Sequence, residues 1–274
     1  MSRLLGYMGP PILLSSAIIE HPHSLVEQSY APREMVTGTI NADGFGVGWY
    51  GEEGELPGTY HRSTPIWSDL DLPRLGRVVR SRCIFAAVRN ATPGFAVDIL
   101  NVPPFVHQHL LFMHNGAVEG FSRRFRRPLL EHIPEEIQAT TLASVDSEVL
   151  LALALTHLLK SGLRPGLGVD NLKAALDFTL RTVLDLALAE QARASLNMGL
   201  TDGHAMVFVR LARGIDANSL YLRQEGDAVW VASEPLEGSK DWKTVPPDNW
   251  VLVDGSGRVV IEHIADLPPK KEWS

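Results

Sequence analysis

The chain has 274 residues, of which 45% are apolar and 21% charged, and its net charge is −7. This composition suits one large domain or two small ones with a sizeable core, and it excludes disorder of the whole chain. The negative charge argues against a general binder of nucleic acid or anionic membranes. The sequence has neither a secretory signal pattern nor an apolar run long enough to span a bilayer, so we predict no membrane partner.

Short strands joined by glycine- and proline-rich turns are predicted for the first 120 residues, at 4–7, 44–50, 83–88 and 110–113. Apolar residues at helical spacing predict two long helices over 134–160 and 169–195, the second with Asp170 as its N-cap. Strands follow again at 205–211, 219–222, 229–232, 250–253 and 259–263. No linker divides the chain, so we predict a single α+β domain over residues 1–274.

The single cysteine, Cys83, can form neither an internal disulfide nor a cysteine-rich zinc site. We therefore expect a core residue and a reducing, cytoplasmic setting.

The N-terminus offers a candidate nucleophile. Ser2 is small, which favours removal of Met1 and would leave a free α-amine beside the serine hydroxyl. An α-amine has a pKa near 8 and can act as a general base at neutral pH. A Met-Ser start is common, however, and by itself it predicts no catalysis.

Two motifs point to a ligand or to close packing. Gly44, Gly46 and Gly48 leave one face of a predicted strand without side chains, so a ligand or another chain segment must approach that backbone closely. The spacing matches no phosphate-binding loop. Arg89 follows a predicted buried strand and needs an anionic partner. That partner is either the carboxylate of a ligand or a structural ion pair.

Asn115 and Gly116 follow another apolar strand, where Asn-Gly is first of all a turn signal. The alternative is an oxyanion hole, in which the side-chain NH₂ and the glycine N–H donate to one oxygen. Asp146 could hold a ligand ammonium or lie on a solvated helix face. Asp146 and Glu148 are two apart on the predicted helix and point in different directions, so they do not form an acid–base pair.

Two further clusters are weaker candidates. His107 and His109, with His114 nearby, could bind zinc, but no carboxylate stands at ligand spacing and we predict no metal. A basic cluster interleaved with Phe121 and Phe125 could contact a phosphate or an acidic substrate, although a solvated turn is favoured. Its members are Arg123, Arg124, Arg126 and Arg127.

Taken together and in order, these motifs resemble the class II glutamine amidotransferase-like N-terminal nucleophile hydrolases. They are M-S-R-L-L-G-Y at the start, N-A-D-G-F-G-V-G-W-Y over 41–50, R-N-A-T-P-G over 89–94, H-N-G over 114–116, D-S-E over 146–148 and A-S-E-P-L over 232–236. Within this class the sequence is most similar to the γ-glutamyl hydrolases of ergothioneine biosynthesis. These remove glutamate from γ-glutamyl-cysteinyl-hercynine sulfoxide.

The resemblance implies an αββα sandwich and a small-molecule γ-glutamyl substrate. Residue 2 would be the nucleophile, with Arg89 on the α-carboxylate of the γ-glutamyl group and Asp146 on its α-ammonium. Asn115 and Gly116 would form the oxyanion hole, and no cofactor would be needed. Because the hydrolase fold uses the whole chain, we expect a stand-alone hydrolase, with a homo-oligomer as one open possibility.

Residue 2 departs from the family, which has cysteine where this chain has Ser2. A thiol is a far better nucleophile than a hydroxyl at neutral pH. Three interpretations stay open: an introduced Cys→Ser change that holds substrate uncleaved, a natural protein that binds γ-glutamyl compounds with little or no hydrolysis, and a serine-dependent hydrolase. A glutaminase subunit that feeds ammonia to a separate synthase is a further alternative.

Overall fold

The computed structural model describes residues 2–35, 38–51, 56–91, 97–141 and 145–268. Met1 and residues 92–94 of the arginine motif lie outside this part of the chain. The strands within it are β1 (Arg3–Leu13), β2 (Phe45–Tyr50), β3 (Pro57–Arg62), β4 (Arg80–Val88), β5 (Phe105–His107), β6 (Leu110–Val118), β7 (Ala194–Thr201), β8 (Met206–Arg210), β9 (Ala212–Arg213), β10 (Tyr221–Glu225), β11 (Ala228–Ala232), β12 (Lys243–Thr244), β13 (Asn249–Val253) and β14 (Val259–His263).

These strands form two antiparallel sheets. The first has the order β12-β10-β11-β1-β4-β2-β3, and the second β14-β13-β8-β7-β6-β5, with β9 paired to β7. The α-helices of the described residues are α1 (Leu14–Ile18), α2 (Leu25–Tyr30), α3 (Leu72–Gly76), α4 (Arg126–Leu130), α5 (Glu135–Gln138), α6 (Asp146–Leu158) and α7 (Gly168–Ala189). Among these helices, none combines the length and the apolar character needed to cross a bilayer.

Three buried apolar clusters define four layers. Alternation along β1 sends Leu4 into the space between the two sheets and Leu5 toward α1 and α2 on the outer face. A third cluster joins the second sheet to α6 and α7. Each large apolar side chain so buried contributes about 1.5–3 kcal/mol. The predicted αββα sandwich is therefore confirmed.

The glycine face of β2 is covered by the chain itself. A methyl group at Gly46 would lie 2.3 Å from the Pro103 carbonyl oxygen, and one at Gly48 would lie 2.7 Å from Leu111. Close packing between chain segments thus explains these two glycines. The predicted end of β1 before Pro10 is wrong, because an irregularity in register between Met8 and Ile12 carries the strand on to Leu13.

Both long helices differ in extent from the helices that the pattern predicts. The helix predicted over 134–160 is divided into α5 and α6. The helix predicted over 169–195 ends at Ala189, and β7 follows it as a strand that the pattern missed. β7 is buried along its whole length in the middle of the second sheet, where apolar composition does not separate strand from helix. Asp170 lies in the first turn of α7 but is not its N-cap.

The basic cluster lies on the short π-helical turn Phe121–Phe125 and on α4. Phe121 and Phe125 are buried in the cluster beneath α6 and α7. The four arginine side chains are exposed, which agrees with the favoured solvated turn.

Candidate active site

Strand alternation brings Ser2 and Asn115 to the same interior space. Leu4 and Met113 both belong to the apolar cluster between the two sheets. Since successive residues of a strand point to opposite faces, Ser2 lies on the face of Leu4, and Asn115 lies on the face of Met113. The candidate nucleophile and the candidate oxyanion donor therefore face the space between the sheets from opposite sides.

The strand register places Ser2 beside Arg89. Arg3 pairs with Val88 and Leu4 with Ala87 across β1 and β4. Continuing this antiparallel register by one residue sets Ser2 opposite Arg89. Main-chain bonds fix the arginine, because its N–H donates to the Gly44 carbonyl oxygen at 2.8 Å.

Residues near the C-terminus hold the first strand in place. The Leu4 N–H donates to Ser233 Oγ at 3.0 Å, and the Ser233 N–H donates to the Leu4 carbonyl oxygen at 2.9 Å. Arg3 Nη1 lies 3.4 Å from Glu234 Oε1, with each side chain only 1% exposed. Ser2 is thus anchored through its two following residues.

The Glu234 carboxylate accepts several further hydrogen bonds. His23 Nε2 donates to Glu234 Oε2 at 2.7 Å, and the main-chain N–H groups of Arg33 and Glu34 donate at 2.8 and 3.1 Å. Burial alone would raise the pKa of the Glu234 carboxyl. The hydrogen bonds, together with the charge of Arg3, lower that pKa below its ordinary value of 4.5.

We expect Glu234→Gln to lower the free energy of unfolding at pH 7 by about 3–5 kcal/mol, because it leaves the Arg3 charge buried without its counter-ion. A carboxyl with a lowered folded pKa stabilises the protein above its unfolded pKa, and this contribution is lost as the pH falls through the folded value. Urea unfolding at several pH values should therefore show the two proteins converging below pH 4.5. A constant difference down to pH 3 would contradict this assignment, whereas the exposed-site variant Glu225→Gln should unfold like the parent.

Arg89 lies in an acidic environment. The residue is 6% exposed. Burial lowers the pKa of the guanidinium, and the carboxylates of Asp43, Asp146 and Asp98 oppose that shift. Asp43 also braces the adjoining segment, since its Oδ2 accepts the Ala91 N–H at 2.8 Å. Arg89 is therefore a buried cation that is held rigidly at the end of β4.

Asp146 is the first residue of α6, where a carboxylate is stabilised by the helix dipole. Its Oδ1 accepts the Ser147 N–H at 2.8 Å, and Ser147 Oγ lies 3.0 Å from His114 Nδ1. His114 Nε2 donates to the Ser195 carbonyl oxygen at 3.0 Å, which ties β6 to β7. These bonds join the H-N-G and D-S-E motifs into one structure.

The turn predicted at Asn115 and Gly116 is wrong. Both residues lie inside β6 and pair with Asn197 and Leu196 of β7, so the second sheet overrides the local turn signal. A methyl group at Gly116 would lie 1.9 Å from the Ser195 carbonyl oxygen, which excludes a side chain there. Asn115 is 1% exposed, and its Nδ2 has no hydrogen-bond partner within the described residues.

A cleft of about 620 Å³ collects these groups. Ser2, Arg89, Gly116 and Asp146 line it, together with Glu119, Asn218 and other residues. Asn115 is buried directly behind the cleft wall, between His114 and Gly116, which both line the cleft. Asn218 was not singled out in the sequence, because a lone asparagine in a polar loop carries no pattern. A cavity of about 690 Å³ at the other end, lined by residues such as Tyr50 and Cys83, holds none of the predicted site residues.

The remaining candidates lie elsewhere. Within the described ranges, no three His, Cys, Asp or Glu side chains are grouped so that they could hold a metal ion. Glu148 faces a separate cavity, as its spacing from Asp146 predicted. Cys83 is fully buried, and burial raises the pKa of its thiol to about 12. It is the predicted core residue.

The four-layer sandwich, with the candidate nucleophile next to its first strand, is that of the N-terminal nucleophile hydrolases. The chain belongs to the class-II glutamine amidotransferases, whose family model matches residues 18–213.

Relatives and a solved structure agree with this family. A γ-glutamyl-hercynylcysteine sulfoxide hydrolase of Mycobacterium tuberculosis is 31% identical over 94% of both chains. A probable glutamine amidotransferase of Saccharomyces cerevisiae is 31% identical over 97% of this chain and 85% of its own. A class-II domain protein of Silicibacter pomeroyi has a solved structure with a TM-score of 0.68 and 26% identity, covering 96% of this chain and 99% of that one.

Proposed function

We propose that this protein hydrolyses the amide bond of a γ-glutamyl compound and releases glutamate. The observation that carries the proposal is the cleft in which Ser2, Arg89, Asp146 and Gly116 meet. A hydroxyl at the chain start, a cation, an anion and a strand backbone are the groups that this reaction requires. The names of the mycobacterial relatives support a γ-glutamyl substrate.

Arg89 and Asp146 would recognise the amino-acid end of the substrate. A guanidinium binds a carboxylate through two parallel hydrogen bonds, and Asp146 offers a carboxylate to the α-ammonium. Arg89 and Asp146 line the same cleft, so one zwitterionic group could contact both of them. These two residues would select the glutamyl part of the substrate, and the outer part of the cleft would select the leaving amine.

The reaction would begin at residue 2. With Met1 removed, the α-amine accepts the proton of the Ser2 hydroxyl, and Oγ attacks the γ-carbonyl carbon. The oxyanion accepts hydrogen bonds from Asn115 Nδ2 and from the Gly116 N–H, and each such donor contributes about 10²–10³ in rate. The α-ammonium returns its proton to the leaving amine. Water then attacks the ester and releases glutamate.

For the leaving amine we propose a hercynylcysteine sulfoxide, as in the named relatives. The outer cleft is lined by the exposed charged residues Glu119, Arg193 and Asp216. Charges of both signs suit a leaving group that carries its own cation and carboxylate.

Ser2 favours a second candidate, a protein that binds γ-glutamyl compounds without turning them over. A hydroxyl is a weak nucleophile unless a base is placed well beside it. In that case the recognition residues would still bind substrate, and only the covalent step would fail.

The first experiment is to incubate the protein with γ-glutamyl-cysteinyl-hercynine sulfoxide and with free glutamine, and to measure glutamate release. Intact mass would establish that Met1 is absent. We expect glutamate from the hercynine substrate and much less from glutamine. Binding by calorimetry without release would select the binding protein, and faster release from glutamine would select an ammonia-supplying subunit. Neither binding nor release would refute the proposed function.

A further inference from the structure

Asn115 presents a buried hydrogen-bond donor that has no partner among the residues that the structure describes. Its Nδ2 is orphaned within the described residues, while its Oδ1 lies 3.4 Å from Asn218 Nδ2. A buried donor without a partner is unfavourable, so such atoms in folded proteins usually have a functional reason.

Asn218 itself is firmly fixed. Its Nδ2 donates to the main-chain carbonyl oxygen of Asn115 at 3.1 Å as well as facing the side-chain oxygen. Its own carbonyl oxygen accepts Asn197 Nδ2 at 3.0 Å and Arg210 Nε at 2.8 Å. Asn218 is 7% exposed, and it therefore forms a rigid polar support between the cleft wall and β7.

Only one orientation of the Asn115 carboxamide suits this support. Rotating the group by 180° would set its NH₂ against the NH₂ of Asn218, so that two donors would face each other. In the proposed reaction, the same rotation would present an oxygen instead of the NH₂ to the oxyanion. The two amides are thus coupled, and the direction of one determines the direction of the other.

We propose that Asn218 is a positioning residue that aims the Asn115 Nδ2 donor at the oxygen of the tetrahedral intermediate. This inference rests on the proposed function, because it requires a γ-carbonyl to react beside Asn115. Asn218 acts through Asn115 and is not itself a donor to the oxyanion. Asn218 should therefore affect the affinity of ligands that place a tetrahedral oxygen beside Asn115. It should not affect the affinity of ligands that have no oxygen at that position.

Two ligands separate this role from a structural one. In the first, a boronic acid replaces the γ-carboxyl of glutamate. Its boron forms a bond with Ser2 Oγ and becomes a tetrahedral anion. The proton of the Ser2 hydroxyl passes to the α-amine of Ser2. The second is L-norvaline, which keeps the α-amine and α-carboxylate but ends in a methyl group. Both are titrated by calorimetry against the parent, Asn218→Asp and Asn218→Ala, with Met1 removed in each protein.

We expect both variants to bind the boronic acid about tenfold or more weakly and to bind L-norvaline unchanged. Asn171→Asp is the matched control. Asn171 lies in α7, and its Nδ2 also donates to a main-chain oxygen, in this case that of Leu167. It should bind both ligands like the parent.

If the Asn218 variants bind both ligands more weakly and to the same extent, the role of Asn218 is merely structural. If they bind the boronic acid as the parent does, Asn115 needs no such support. Either result overturns the inference while leaving the proposed function intact. If the parent binds neither ligand, the proposed function itself fails, and the positioning role fails with it. Thermal unfolding of each variant shows whether the fold survives, and the isosteric Asp variant serves if the Ala variant does not fold.

Discussion

Replacing Ser2 with cysteine should raise the rate of glutamate release by about 100-fold or more. A thiol has a pKa near 8.5, close to that of the neighbouring α-amine, so proton transfer between them is nearly balanced at neutral pH. A hydroxyl has a far higher pKa and a shorter bond to carbon, which places its oxygen short of a position suited to sulfur. The surrounding groups are unchanged by the substitution.

The measurement is steady-state release of glutamate from the γ-glutamyl substrate by the parent and by Ser2→Cys, each with Met1 removed. Ser2→Ala should bind substrate and release none. Ser256→Cys introduces a thiol at the opposite end of the sandwich and should behave like the parent. If the thiol at residue 2 gives no gain, then nucleophile strength does not limit this protein and another residue must be sought.

Replacing Arg89 with methionine should weaken binding of γ-glutamyl ligands by about 100-fold or more, since removing one partner of a buried, hydrogen-bonded charge pair costs about 2–5 kcal/mol. Methionine keeps much of the buried volume and removes the guanidinium. The acidic groups around Arg89 would then repel the incoming α-carboxylate as well. The effect should appear in the dissociation constant, measured by calorimetry with L-glutamate or the intact substrate.

Arg82→Met is the matched control, because Arg82 lies on the same strand and is exposed near its other end. It should bind like the parent. If Arg89→Met lowers the midpoint of thermal unfolding but leaves ligand affinity unchanged, Arg89 would be only a structural counter-ion for Asp43 and its neighbours.

The layers of the fold were predictable mainly through the family resemblance, whereas element boundaries depended on tertiary contacts. Composition could not show that β7 is a strand, since its neighbours on both sides decide this. For the same reason Asn115 and Gly116 looked like a turn. Their local sequence favours a hairpin, and the pairing with β7 across more than 70 residues prevails.

The meeting of the candidate site residues follows from strand register that no local pattern contains. Ser2 and Arg89 are neighbours because β1 and β4 pair, and Asp146, at the start of α6, lines the same cleft. The sequence singled out each of these residues separately. It could not reveal the amide support from Asn218, which comes from a loop with no recognisable motif.

The anchoring of β1 by β11 also sets the order in which the protein can mature. Leu5 pairs with Ala232, so the strand that carries Ser2 cannot be completed until almost all of the chain has left the ribosome. Contacts between such distant residues are slow to form. At about 5–20 residues per second, β11 follows β4 by about 7 seconds or longer, and during that time β1 can pair with β4 but lacks its second neighbour. Chains truncated before β11 would lack the support that positions the candidate nucleophile.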